Sequence, residues 1–272
     1  MKLFICSDLH IDALTPAQYR NFTLPPADVY LIAGDHMNGV VESHYRWLIQ
    51  KTNGIPTYLT MGNHDYYGLT REDAIKRIRQ LVWGSSIQLV FNESVLLAPG
   101  LQLWASDFWT DLALTGNRER VVAASRAVWD DFDEIHVREG AEFRCMRTDD
   151  MVAWHQAALA QFVEFQAQTD DDILLMSHHG LCPEALARNP IDEPLTEVDA
   201  FFTSDARDRL LGLSNAPLLL IHGHVHRYHR TPLTARTTAF CNPRGTHGTL
   251  RHTLVELEHT GSRWRLIGES DY

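Results

Sequence analysis

Five short apolar runs in this chain each stop at a group able to bind a cation. KLFIC (2–6) runs into Ser7-Asp8-Leu9-His10, DVYLIA (28–33) into Gly34-Asp35, and PTYLTM (56–61) into Gly62-Asn63-His64-Asp65. DILLMS (172–177) runs into His178-His179-Gly180, and LLLI (218–221) into His222-Gly223-His224-Val225-His226. Between the first runs lie a crossover and a helical stretch at 40–52, closed by Asn53-Gly54. A further helix follows the third run. Thr70 reads as its N-cap, with Asp73 three positions on, and Ile75, Ile78, Leu81 and Val82 form its apolar stripe. Strand alternating with helix predicts an α/β fold. Sites in such folds form beyond the carboxyl ends of the strands, so groups as remote as Asp8 and His226 can converge there. If residues 222–226 stay extended, the period of two puts His222, His224 and His226 on one face.

The remaining runs read as strands: SIQLV (86–90), SVLLA (94–98), LQLWA (101–105), TTAFCN (237–242), HTLVELEH (252–259) and RWRLIG (263–268). Thr260-Gly261 reads as a hairpin turn between the last two. Residues 148–168 read as a helix with Val152, Leu159, Phe162 and Val163 on one side. The stretch at about 106–150 is charged and poorly periodic, with some helix expected near 117–129. It reads as a flap or insertion on a single domain covering 1–272, a length that supplies ample core. Its Trp129, Asp130, Asp131 and Phe132 fit equally a loop packed on the body and a lid shaping substrate choice.

Charge and cysteine content narrow the function. The net charge is −11, which disfavours an extended nucleic-acid surface and leaves room for a local phosphate pocket. Cys6, Cys145, Cys182 and Cys241 form no CxxC pair, so neither a disulfide framework nor a structural zinc site is indicated. The apolar run near the N-terminus is too short for a signal-peptide core, and no segment approaches a membrane span. The expectation is a soluble cytoplasmic protein with no membrane partner.

Asp8, His10, Asp35, Asn63, His178, His224 and His226 together offer oxygen and nitrogen donors and no thiolate. Imidazole suits zinc, iron and related ions, while carboxylate favours harder ions such as manganese. Seven donors are too many for one ion and suit two ions sharing one carboxylate. His155, on a helix stripe, and His222 read as packed histidines. His44, His136, His229, His247, His252 and His259 read as surface or rim groups.

In this order, DLH (8–10), GD (34–35), GNHD (62–65), HHG (178–180) and GHVH (223–226) make the chain resemble the calcineurin-like metallophosphoesterase superfamily. Asn242-Pro243-Arg244-Gly245 resembles a segment of many bacterial members. The resemblance implies an α/β fold built as a four-layer α/β/β/α sandwich, two mixed β-sheets flanked by helices. It implies two divalent or trivalent ions, drawn from Mn, Fe, Zn, Ni and Co. Asp8, His10 and His226 would hold one ion, Asn63, His178 and His224 the other, and Asp35 would bridge them. The first histidine of HHG is the family's ligand, which points to His178 over His179. The implied function is hydrolysis of a small phosphomonoester or phosphodiester by a metal-bridging hydroxide. His64 would be the catalytic histidine that contacts the phosphate or protonates the leaving oxygen, with Asn63 and Arg244 as further substrate contacts. Two departures stand out. Many members carry GDxxD, whose second aspartate orients the catalytic histidine, and here Asn38 stands in its place. The usual GNHE is GNHD. The amide at 38 favours a second reading, a catalytically weakened metal-binding scaffold or interaction protein of the same fold. A nuclease is a third, which the acidic balance disfavours.

Overall fold

In the central strands of this chain both faces are buried, so successive side chains enter different cores. In β1 (Lys2–Cys6), Leu3 and Ile5 join one apolar cluster while Phe4 and Cys6 join another. The same split recurs in β9 (Asp172–Met176), where Leu174 and Met176 face one way and Ile173 and Leu175 the other. Runs apolar on both faces mark strands covered on both sides. A fully buried Leu or Phe here contributes about 1.5–3 kcal/mol.

The computed structural model describes residues 1–125, 129–188 and 193–271. Its other strands are β2 (Val29–Ala33), β3 (Thr57–Thr60), β4 (Ile87–Leu89), β5 (Glu93–Ala98), β6 (Leu101–Ala105), β7 (His136–Glu139), β8 (Glu142–Cys145), β10 (Leu219–His222), β11 (His229–Pro232), β12 (Thr238–Cys241), β13 (Thr253–His259) and β14 (Trp264–Asp271). The helices are α1 (Pro16–Asn21), α2 (Glu42–Thr52), α3 (Arg71–Val82), α4 (Arg118–Ser125), α5 (Asp131–Glu134), α6 (Thr148–Gln168), α7 (Asp199–Phe202) and α8 (Arg207–Leu210).

Two six-stranded sheets form, ordered β14-β13-β1-β2-β3-β4 and β11-β12-β10-β9-β6-β5. Each is mixed. The first holds parallel β1, β2, β3 and β4 beside antiparallel β13 and β14. The second holds parallel β12, β10, β9 and β6 between antiparallel β11 and β5. The sheets face each other across a core of Leu31, Leu103, Leu174, Ile221 and Phe240. Helices α2 and α3 cover the outer face of the first sheet through Leu48, Ile78 and Val82. Helix α6 covers the second through Ala158, Leu159 and Phe162. This is the expected four-layer sandwich, and the carboxyl ends of the parallel strands of both sheets emerge on one side.

Local differences from the sequence reading have physical causes. Thr70 does cap α3, its Oγ1 accepting from the Asp73 amide at 3.1 Å. Helix α1 was not expected, although Thr15 and Gln18 form a capping box and Pro16 opens the helix. It buries no residue, so it shows no apolar stripe. Within 106–150 the expected helix occupies 118–125, and residues 126–128 of that expectation lie outside the described residues. The hairpin β7–β8 went unseen because it is charged and mostly exposed. Among the described residues, no helix is long and apolar enough to cross a membrane.

Candidate metal centre

The loops after β1, β2, β3, β9 and β10 bring all seven sequence-predicted donors together. Asp8, His10, Asp35 and His226 each offer a ligand atom within 4.8 Å of the others, and so do Asp35, His178 and His224. Asp35 belongs to both groups. Its Oδ2 lies 3.2 Å from His178 Nε2 and 3.9 Å from His10 Nε2. His226 Nε2 stands 3.1 Å from Asp8 Oδ1 and 3.2 Å from His10 Nε2. Asn63 Oδ1 lies 3.1 Å from His178 Nε2.

Close backbone packing makes this convergence possible and explains the glycines of the motifs. A Cβ at Gly62 would fall 2.1 Å from Asp35 Oδ1, and one at Gly223 would fall 2.7 Å from Asp8 Oδ2. At Gly34 it would meet His178 Nδ1 at 2.6 Å, and φ there is +81°, which disfavours any side chain. Asp8, His10, Asp35, His224 and His226 themselves sit at left-handed φ, between 39° and 67°. Five of seven donors in that sparsely populated region is the strain that functional sites hold in place with surrounding contacts.

Those contacts are visible. His224 N donates to Asp8 Oδ1 at 3.0 Å, joining the two sheets. Asp65 accepts from the amides of Asp35, His36 and Gly62 at 3.0, 3.0 and 2.7 Å, and from His36 Nδ1 at 2.9 Å. That carboxylate therefore ties the GD turn to the GNHD turn. Asp107, at the end of β6, accepts from Tyr66 Oη, Trp109 Nε1 and both Nε and Nη2 of Arg71 at 2.7–3.0 Å. Its carbonyl receives the amides of His178 and His179. Asp131, in the 106–150 stretch, accepts from Asn63 Nδ2 and Tyr67 Oη, each at 2.8 Å. Sequence reasoning missed these three roles. Asp107 was findable, since LQLWA-Ser-Asp repeats the strand-then-carboxylate pattern.

The extended-run expectation for His222, His224 and His226 does not hold. Strand β10 ends at His222, and the left-handed turns at His224 and His226 break the alternation. His222 turns away from the cluster to His229, with Nε2 atoms 2.8 Å apart. His229 is thus a buried partner, not a rim group. His179 is buried beside Trp109, with ring centroids 4.8 Å apart, and backs His224 at 4.4 Å. His155 is packed, its Nδ1 2.8 Å from the Phe108 carbonyl. Tyr66 is fully buried against Asp107. Arg244 is buried, and its Nη1 donates to the Leu9 carbonyl at 2.7 Å and the His10 carbonyl at 3.3 Å. Those bonds support the His10 backbone. His64 and His226 are the more open histidines of the cluster. His64 Nδ1 lies 2.6 Å from Asn38 Oδ1, and its Nε2 lies 4.0 Å from Asp35 Oδ2.

The protein's own charges already meet opposite partners. Burial alone would raise the Asp35 carboxyl, but His178 and His64 outweigh it and hold it well below the usual carboxylate range. Burial would likewise raise the Asp8 carboxyl, but the His226 hydrogen bond and the His178 charge outweigh it, so Asp8 is lowered too. Burial disfavours charge on His178, yet Asp35 raises it to about 10. Burial lowers His10 and drives His224 well below its ordinary value. Two buried carboxylates, one amide oxygen and four converging imidazoles form a donor set that suits first-row divalent ions. The residues fit a metal centre.

Fold and site together define a metal-dependent phosphoesterase, a hydrolase. The calcineurin-like phosphoesterase pattern matches residues 1–228, and the chain belongs to that family. No curated protein matches it in sequence. Among solved structures it is similar to the phosphopantetheinyl hydrolase from Mycobacterium tuberculosis, with TM-score 0.65 and 16% identity over 90% of this chain and 89% of that one. It is also similar to a dimetal phosphatase from Danio rerio, with TM-score 0.54 and 14% identity over 99% of this chain and 96% of the other.

Proposed function

We propose that this protein hydrolyses a small phosphomonoester or phosphodiester with two metal ions. Asp8, His10 and His226 hold one ion, Asn63, His178 and His224 the other, and Asp35 is shared. The observation that carries the reading is Asp35 itself, whose carboxylate belongs to both donor groups. Two such ions supply Lewis acidity toward phosphoryl oxygens and activate water near neutral pH.

The chain supplies orientation and proton handling. Asn38 Oδ1 accepts from His64 Nδ1, which leaves His64 Nε2 facing the Asp35 side of the cluster. There it is placed to contact a phosphate oxygen or to give a proton to the leaving oxygen. Asn38 orients His64 by hydrogen bonding without adding charge. The 106–150 stretch touches the site through Asp131 and Trp129, which supports reading it as a flap on a single catalytic domain. Four free cysteines, three of them buried, support a reducing cytoplasmic setting. The net charge of −11 speaks for a small phosphoester over an extended nucleic acid.

Elemental analysis of the purified protein, then a phosphoester panel with each candidate metal restored, tests this reading. The expected result is two ions per chain, with hydrolysis lost on chelation and regained on reloading. Asp35→Asn removes ions and hydrolysis together. Wild-type rates in that variant, or in the chelated protein, overturn the reading.

A further inference from the structure

The segment after residue 128 touches donors assigned to one ion and not the other. Asp131 is buried, 4% exposed, at the start of α5. Among the described residues its side chain accepts two hydrogen bonds, from Asn63 Nδ2 and from Tyr67 Oη. The bond to Asn63 decides which way the amide faces. With Nδ2 on the carboxylate, Oδ1 is left 3.1 Å from His178 Nε2, among the donors. A flipped amide would present two N–H groups and no lone pair to a cation, and would set its oxygen against the Asp131 carboxylate. Trp129, two residues earlier, stacks on His224, with ring centroids 5.7 Å apart and planes 28° apart. Both contacts fall on the Asn63–His178–His224 group.

We infer that Asp131 is a positioning residue that locks the Asn63 amide with its oxygen toward the ion, and so sets the affinity of that ion position alone. The inference rests on the ion assignment proposed above. Outer partners of this kind typically change metal affinity by about 10–100-fold. Tyr67 Oη donates to the same carboxylate oxygen, so truncating Asp131 removes the acceptor of both groups.

Manganese titration of the metal-free full chain, followed by the paramagnetic resonance of free Mn²⁺, tests it without an activity readout. Wild type is expected to take up two equivalents. In Asp131→Ala the first equivalent titrates as in wild type and the second weakens by about 10–100-fold. Asp131→Asn restores most of the second equivalent, because its amide oxygen still accepts from Asn63. Asp131→Ser is the companion truncation, and circular dichroism shows which of the two stays folded at the titration temperature. Equal affinities in wild type and truncated variant, or equal weakening of both equivalents, overturn the inference. A wild type that takes up fewer than two equivalents instead overturns the ion assignment beneath it.

Discussion

Gly62 shows how much of this site is decided by single atoms. Its backbone is not in the left-handed region, so alanine is barred there by space alone: the added methyl would sit 2.1 Å from Asp35 Oδ1. Either the Asp35 side chain or the turn must move, and the first is held by the His64 amide at 3.0 Å while Asp65 clamps the second through the Asp35 and Gly62 amides. Overpacking of this kind costs about 1–3 kcal/mol. Gly62→Ala is therefore expected to lower the melting temperature and to lose bound metal, as read by thermal unfolding and elemental analysis. A variant that melts like wild type and carries its full metal content would refute this. The seven donors and their glycines were legible in the sequence because strand ends announce themselves by an abrupt change from apolar to polar. Asp131 was not, because an acid in a charged, aperiodic stretch has no pattern to separate it from solvent-facing neighbours. The extended-run reading of His222 failed for a related reason. Left-handed turns at His224 and His226 depend on Asp8 capturing the His224 amide from another sheet, which no local window contains.

At the scale of elements, long strands and helices with an apolar stripe were legible, while α1 and the β7–β8 hairpin, which bury little, were not. That hairpin is held to α6 by charge. Arg144 donates to both oxygens of Asp150 at 2.6 and 2.8 Å, and the Arg147 amide adds a third bond at 2.8 Å. Burial would raise the Asp150 carboxyl, and Arg144 with the Arg147 amide outweighs it, so the group lies below its ordinary 3.8. A lowered acid stabilises the fold at pH above its ordinary value and loses that contribution as pH falls through the lower, folded one. A bidentate, partly buried pair of this type is worth about 1 kcal/mol. Asp150→Asn should therefore be about 1 kcal/mol less stable than wild type at pH 7 in urea unfolding, with the gap closing at pH values below the carboxylate range. A gap that stays constant into acid would show that the charge contributes nothing.

For the whole molecule, the alternation of runs made the α/β class legible, but strand order was not. Nothing in the chain states that β13 returns to pair with β1, or that β11 and β5 close the second sheet in antiparallel sense. These are long-range choices made by the shared core. They matter to function because the donors come from both sheets: Asp8, Asp35 and Asn63 from one, His178, His224 and His226 from the other. In the unfolded chain these groups are far apart, so an ion that bridges the sheets binds the folded state alone. Such linkage stabilises by about 2.7 kcal/mol when free metal exceeds its dissociation constant a hundredfold. In a chain of this size that is a rise of several degrees in melting temperature, about 2–4 °C for each kcal/mol. Adding Mn²⁺ to the chelated protein should raise the melting temperature in a concentration-dependent way, and Asp35→Asn should abolish most of the rise because that carboxylate belongs to both donor groups. If the melting temperature ignores both manganese and chelator, the donors do not act as a clasp between the sheets, whatever their distances.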